Sequence, residues 1–208
     1  MTHIHEILET GALQVNCQIL GNLSKGEAIV VDPGGEAHKI LQRLQILGLK
    51  LTHIIATHGH FDHIGGVAEL KQASGCPFWI HEADRKFVEG AAKHAALWGL
   101  PFGAVPTIDR TLSDHEILEV AGLHLEVIHT PGHTPGGVCL RWEDGLLVGD
   151  TLFAGSIGRT DLPGGHHATL LNSIHSRLLV LDEKIQCFPG HGPATTLGRE
   201  RRNNPFLD

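Results

Sequence analysis

No C-x-x-C pair occurs anywhere in the 208-residue chain; its four cysteines, Cys17, Cys76, Cys139 and Cys187, lie far apart. That scatter excludes a disulfide framework, a zinc ribbon and a thioredoxin-type redox site, and predicts buried, reduced thiols. No stretch approaches the roughly 18 apolar residues of a membrane span, and MTHIHEILETG lacks the basic region and apolar run of a secretory signal. A cytoplasmic protein with no membrane partner is the expectation. Positive charge is scarce too: 16 Lys+Arg stand against 23 Asp+Glu, for a net charge of −7. Nucleic acid is therefore not an expected partner, since binding its backbone calls for a basic patch or stripe. Low-complexity segments and short-period repeats are missing as well.

What the chain does have is 17 histidines, within an otherwise ordinary globular composition of 41% hydrophobic and 19% charged residues. Its length suits one domain, 1–208, with a substantial core. The opening reads as antiparallel strands at Ile4–Leu8, Gln14–Leu20 and Ala28–Val31, separated by turns at Gly11 and Gly21-Asn22. Beyond Asp32-Pro33-Gly34-Gly35, the residues Ile40, Leu41, Leu44 and Leu47 recur at helical spacing until Gly48. Leu51–Thr57 and Pro77–Ile80 suit strands covered on both faces, and a helix is expected around Ala83–Leu97, followed by an irregular crossing at Pro101 and Pro106.

In the second half, Glu116–Val120 and Leu123–His129 form a hairpin across Ala121-Gly122. Val138–Trp142 and Leu146–Val148 form another across Glu143-Asp144-Gly145. A helix near Ala168–Leu181 and a strand at Gln186–Phe188 complete the pattern. Both halves thus join antiparallel strands to a strand–helix–strand unit, which predicts a two-sheet α/β sandwich with helices on both outer faces.

Four strands empty into loops that carry His or Asp, and in layered α/β proteins such loops are where sites are built. The loop His58-Gly59-His60-Phe61-Asp62-His63 is the densest. Residues two apart in an extended segment project the same way, so His58 and His60 can grip one ion while Asp62 and His63 turn toward another. Imidazole and carboxylate without thiolate select zinc first, with iron or manganese as alternatives. A closed structural zinc site would normally include Cys, and none lies nearby, so an open, catalytic site is expected. His133, Asp150 and His191, each beside a glycine, are the natural completions, and Asp150 is the candidate bridge between two ions. The pairs His3/His5 and His166/His167, and the isolated His53, His81, His94, His115, His124, His129 and His175, read as packing or surface residues.

In this order, Thr57-His58-Gly59-His60-Phe61-Asp62-His63, Pro131-Gly132-His133, Gly149-Asp150 and Pro189-Gly190-His191-Gly192 resemble the metallo-β-lactamase superfamily. The likeness is to its glyoxalase II-like (hydroxyacylglutathione hydrolase-like) branch, and it runs from Asp32-Pro33-Gly34 to Asn204-Pro205-Phe206. The resemblance implies an αββα four-layer sandwich. It also implies one metal on His58, His60 and His133, a second on Asp62, His63 and His191, and Asp150 between them, with Asp62 and Asp150 as the catalytic carboxylates.

It further implies a metal-dependent thioesterase that cleaves S-D-lactoylglutathione to D-lactate and glutathione through a bridging hydroxide. Two divalent ions outweigh the local carboxylates, which suits a small anionic thioester. A thiol, with a pKa of about 8.5, leaves without a strong general acid. Two departures stand out: the helical C-terminal domain of standard glyoxalase II enzymes has no counterpart, and the chain has no Tyr for their Lys-x-Tyr glutathione site.

The corresponding stretch reads Gly158-Arg159-Thr160-Asp161. Arg159 is the candidate substrate-binding residue, through a bidentate fork to a carboxylate, with a pair to Asp161 as the competing arrangement. Arg199, Arg201 and Arg202 offer a second anion patch or a solvated helix face. Gly-Arg-Thr-Asp also resembles the persulfide dioxygenases, which makes a mononuclear iron oxidoreductase the first alternative. A non-catalytic glutathione- or metal-binding module is the second. Lactone hydrolysis lacks its active-site Tyr here, and the RNA-processing branch lacks its inserted domain.

Overall fold

The computed structural model describes residues 3–143 and 145–207. Its first sheet has six strands in sequence order: β1 (His3–Thr10), β2 (Val15–Asn22), β3 (Glu27–Val31), β4 (Lys50–Ile55), β5 (Phe78–His81) and β6 (Arg110–Leu112). The β1–β2 and β2–β3 pairs are antiparallel and the rest parallel. Parallel neighbours need crossovers. These are α1 (Ala37–Ile46), the pair α2 (Phe61–Ile64) and α3 (Val67–Ser74), and α4 (Arg85–Leu97).

The second sheet contains β7 (Ile117–Val120), β8 (Leu123–His129), β9 (Val138–Trp142) and β10 (Gly145–Gly149). A small ribbon follows, β11 (Leu152–Phe153) with β12 (Ser156–Ile157), then α5 (His167–Ser173), β13 (Gln186–Pro189), β14 (Thr195–Thr196) and α6 (Leu197–Asn203). The sheet order is β14-β13-β10-β9-β8-β7, with β10 and β13 parallel and the other neighbours antiparallel.

Three apolar clusters show how the layers stack. Alternation along a strand sends successive side chains to opposite faces, so β3 divides its residues between two clusters. Ala28 and Val30 pack with Ile40, Leu44, Leu70 and Val88 of the helices, while Ile29 and Val31 pack with Leu118, Leu125 and Leu140 of the other sheet. The second sheet repeats the division: Leu147 faces inward, whereas Leu146 and Val148 meet Leu170, Ile174, Leu178 and Leu197 outside. Helix, sheet, sheet, helix is the αββα sandwich that the residue pattern predicts.

Differences from expectation are local. The helix expected over Ala168–Leu181 is α5 followed by a π-helical turn at Ile174–Leu178. The buried Leu170, Ile174 and Leu178 lie four residues apart, and the wider turn keeps them on one face. The three-residue β6 and the two-residue β11, β12 and β14 are too short to show a period of two. Asp144, in the expected 143–145 turn, lies outside the described residues. All four cysteines are free and buried, and no helix among the described residues is long and apolar enough to cross a membrane.

Candidate metal centre

The strands β4, β8, β10 and β13 each run out into one of the His/Asp loops, and all four loops meet at one end of the sandwich. Hydrogen bonds tie the loops across the two sheets. The Val138 amide donates to the Thr57 carbonyl (2.9 Å) and the Asn16 amide donates to that of Gly190 (2.7 Å). Asn16 Nδ2 donates to the carbonyls of Pro189 (3.0 Å) and Gly192 (2.8 Å), so a side chain of β2 holds the His191 loop.

His58 Nε2 lies 3.1 Å from His60 Nδ1, and His133 Nε2 lies 2.9 Å from the same atom. Three nitrogens this close match donors about 2.0–2.1 Å from a shared ion, which sit roughly 3.3 Å apart at tetrahedral angles. His133 Nδ1 donates to the Arg159 carbonyl (2.7 Å), which fixes the tautomer and leaves Nε2 with its lone pair toward His58 and His60. On the other side, His191 Nε2 lies 3.4 Å from Asp62 Oδ2, and the short helix α2 turns Asp62 and His63 toward it. Asp150 lies between: its carboxylate is 3.4 Å from His63 Nε2, 3.6 Å from His133 Nε2 and 3.8 Å from His191 Nε2. Three sets have geometry to hold a cation: His58–His60–His133, His58–His63–Asp150 and Asp62–His63–His191.

Burial and the neighbouring charges together set the protonation states. Burial pushes His58 well below the ordinary imidazole range, helped by the neighbouring imidazoles of His63, His133 and His60. Burial and the His133 ring bring His60 down to about 3. Burial would raise Asp150, but the charges of His63, His133 and His191 override it and hold the carboxylate well below its usual range. For His63, burial is outweighed by Asp150, Asp32 and Asp62, which push the imidazole up. Neutral His58 and His60 beside an ionised Asp150 are donor forms a metal requires, whereas His63 must give up its proton to a metal that binds there.

Hydrogen bonding leaves this donor set unfinished. Among the described residues, five buried side-chain polar atoms make no hydrogen bond, and four of them belong to His60, His63 and Asp150. Two of these, His63 Nε2 and Asp150 Oδ1, face each other across 3.4 Å; such atoms ordinarily cost about 1–3 kcal/mol each, so the pair fits a site completed by a cation. The glycines serve close approach: a Cβ on Gly190 would stand 2.4 Å from Asp150 Oδ1 and 2.6 Å from His63 Cε1.

Two buried carboxylates that no local motif announces organise the loops. Asp32 accepts from the Thr57 amide and hydroxyl (both 2.7 Å), and its Oδ2 lies 3.0 Å from His63 Nδ1. Asp84 accepts from the Gly59 amide (2.8 Å), the Thr134 hydroxyl (2.8 Å) and the Gly136 amide (2.6 Å), so it joins the His58–His60 loop to the His133 loop. Asp84→Ala leaves these three donors without their acceptor and is expected to lower the unfolding free energy by about 3 kcal/mol or more, measured by urea denaturation.

A groove of about 330 Å³ opens over the centre, walled by Leu13, Phe61, His94, Trp98, Phe153 and Leu162. His94, which sequence alone assigns to packing or surface, lines it, 5.7 Å from the His60 ring; an isolated histidine on a helix carries no signal of this. Arg159 also lines the groove, forked onto Asp161 (2.8 and 2.7 Å), with its guanidinium 5.9 Å above the Trp98 ring. Arg199, Arg201 and Arg202 on α6 are exposed and lie off the groove, Arg202 pairing with Glu183 (3.0 Å). A separate cleft of about 500 Å³, beside Arg141, Trp142 and Lys184, includes none of the seven His/Asp residues.

The sequence pattern of the Metallo-beta-lactamase superfamily matches residues 10–191. The chain belongs to the metallo-β-lactamase superfamily. As a member, it is 42% identical over 212 aligned residues to the hydroxyacylglutathione hydrolase GloC of Haemophilus influenzae, which covers 98% of this chain and 97% of that protein. The superfamily fold is equally plain in solved structures. BLEG-1 B3 metallo-beta-lactamase superposes with a TM-score of 0.92 at 39% identity, covering 98% of this chain and 99% of that one. TTHA1623 in a di-iron-bound form superposes with a TM-score of 0.90 at 39% identity, covering 97% and 100%. This metallo-hydrolase family and the His/Asp cluster together make the chain a metal-dependent hydrolase, with the identity of the metal open among its relatives.

Proposed function

We propose that the protein is a thioester hydrolase with two divalent metals, acting on a small anionic glutathione conjugate, S-D-lactoylglutathione first. The observation that carries the reading is Asp150, an ionised, largely buried carboxylate within 3.4–3.8 Å of imidazoles from both sides of the cluster. His58, His60 and His133 would hold one cation, Asp62, His63 and His191 the other, and Asp150 both. The bound metals would supply Lewis acidity and an acidified water, the chemistry open metal sites contribute to acyl transfer.

The chain's own residues do the rest. Phe61, Trp98, Phe153 and Leu162 form apolar walls that exclude bulk water and strengthen the electrostatics inside. Arg159 offers a guanidinium at the groove wall for a substrate carboxylate, in exchange for its fork with Asp161. Asp32 and the Arg159 carbonyl hold the rings of His63 and His133 in orientation from behind. In the reaction, the water oxygen bonds to the acyl carbon and the C–S bond breaks. The thiol is a good enough leaving group that no separate acid beside the sulfur is required. The chain's acidic balance and its lack of a basic stripe support a small-molecule partner over nucleic acid or membrane.

The likeness to BLEG-1 favours a second reading, β-lactam hydrolysis at the same centre. A panel separates the readings: S-D-lactoylglutathione, a chromogenic cephalosporin and glutathione persulfide with an oxygen electrode, each with zinc-, iron- and manganese-loaded protein. Thioester turnover above a chelated control, with two metals per chain, is the expected result. Turnover confined to the β-lactam, or one iron per chain with oxygen uptake on the persulfide, overturns the thioesterase reading.

A further inference from the structure

Helix α4 borders the groove with one side and a second cleft with another. At 100° per residue, Lys86, Gly90, Lys93 and Leu97 fall within about 40° of one direction, while Phe87, His94 and Trp98 fall on the side toward the metal centre. The cleft, about 220 Å³, is lined by Lys86, Phe87, Gly90, Lys93, Leu97 and Pro163, together with His94, which also lines the groove. The 158–165 loop spans both, with Arg159 and Leu162 in the groove and Pro163 in the cleft. The two spaces are therefore neighbours across His94 and Leu162-Pro163, not separate features of the surface.

Three observations give the cleft a chemistry. Lys86 and Lys93 are exposed and make no ion pair or hydrogen bond among the described residues, whereas the Arg159 guanidinium is already forked onto Asp161. Two uncompensated cations about 10 Å apart along the helix thus flank the cleft, in a chain whose net charge is −7. Gly90 sits in the helix interior, where glycine is unfavourable. A Cβ there would meet nothing within 4 Å, so packing does not demand it, and its absence deepens the cleft between the lysines. Finally, the rim is apolar and open: Leu97, 78% exposed, lines it with Phe87 and Pro163.

We propose that this cleft is the subsite for the thiol half of the thioester, with its terminal anion between Lys86 and Lys93 above Gly90 and its sulfur at the metal centre across His94. The proposal deepens the thioesterase reading and rests on it. The shared chemistry is a long thiol ending in an anion, either the carboxylates of glutathione or the phosphates of coenzyme A.

The test uses the zinc-loaded full chain and the Lys86→Gln/Lys93→Gln double variant with three thioesters: S-D-lactoylglutathione, an acyl-coenzyme A, and a neutral acyl-N-acetylcysteamine. Exposed ion pairs are individually modest, so KM for the anionic thioester should rise about tenfold for the pair, with kcat within about twofold. KM for the neutral thioester should stay put. Whichever anionic thioester shows the rise identifies the source. Gly90→Leu, which fills the cleft without touching its charge, should raise KM in the same selective way.

Direct binding is read without turnover, by Trp fluorescence of metal-free protein titrated with S-methylglutathione or S-methyl-coenzyme A. The double variant should weaken it by the same factor, and added salt should weaken the wild type toward the variant. Equal KM changes on neutral and anionic thioesters, or unchanged affinity for both S-methyl probes, overturn the subsite. If no thioester is turned over, the thioesterase reading fails and the binding titration alone decides the subsite.

Discussion

Asp150→Ala should lower thioester turnover by about 10³-fold or more, and metal analysis should show the loss of one ion per chain. The expectation follows from what surrounds the carboxylate. It emerges directly from β10 at Gly149, is packed against Gly190, and is the anionic group nearest both His63 Nε2 and His133 Nε2. Without it, the histidines on the two sides lose the negative charge that offsets two cations held close together. The Lewis acidity of bound metals is worth several kcal/mol of barrier, and each 1.36 kcal/mol is tenfold in rate, which sets the size of the loss. Asp150→Asn separates charge from shape: it keeps the packing against Gly190 and should still lose the greater part of the activity. An alanine variant with two metals and near-normal turnover would remove Asp150 from the centre.

Metal loading should raise the thermal midpoint of the chelated protein by roughly 10 °C. His58, His60 and His63 are buried and Asp150 is largely so, and Asp150 Oδ1 and His63 Nε2 have no hydrogen-bond partner. A cation that binds the folded chain and not the unfolded one stabilises it by about 4 kcal/mol at a thousandfold excess over Kd. For a chain of this size each kcal/mol moves the midpoint by about 2–4 °C. Scanning calorimetry with chelator, zinc, iron or manganese would rank the metals by their shifts. The His58→Ala variant, which loses a donor shared by two of the three cation-holding sets, should show a much smaller shift. Equal midpoints with and without metal would count against a buried metal centre.

Reading the chain alone goes far here because β4, β8, β10 and β13 each end within four residues of the His or Asp that follows. A strand with a clear apolar pattern delivers whatever comes next to a fixed edge, so the loop residues inherit their position from the strand. The layered sandwich is legible for the same reason: alternating residues of β3 and β10 must be covered on both faces. Asp32, Asp84 and Asn16 were not legible as supports. Each acts on a backbone or hydroxyl group that is remote in sequence, Asp84 on residues 25 and 52 positions away, and no local periodicity encodes such a pairing. His94 has the same history: one helical histidine among 17 gains its place in the groove only from how α4 packs.

Sequence by itself determined the donor chemistry, the strand ends that present it and the superfamily to which the chain belongs, because these depend on residue type and short-range spacing. Only the tertiary structure decided how the donors face one another, that Asp150 stands between the two sides, and which carboxylates brace the loops from behind. It also decided that Arg159 is already engaged by Asp161 while Lys86 and Lys93 are left facing a cleft beside the centre. Those are questions of distance between loops on two different sheets, and such distances exist only once the two sheets have packed face to face and buried the apolar residues between them.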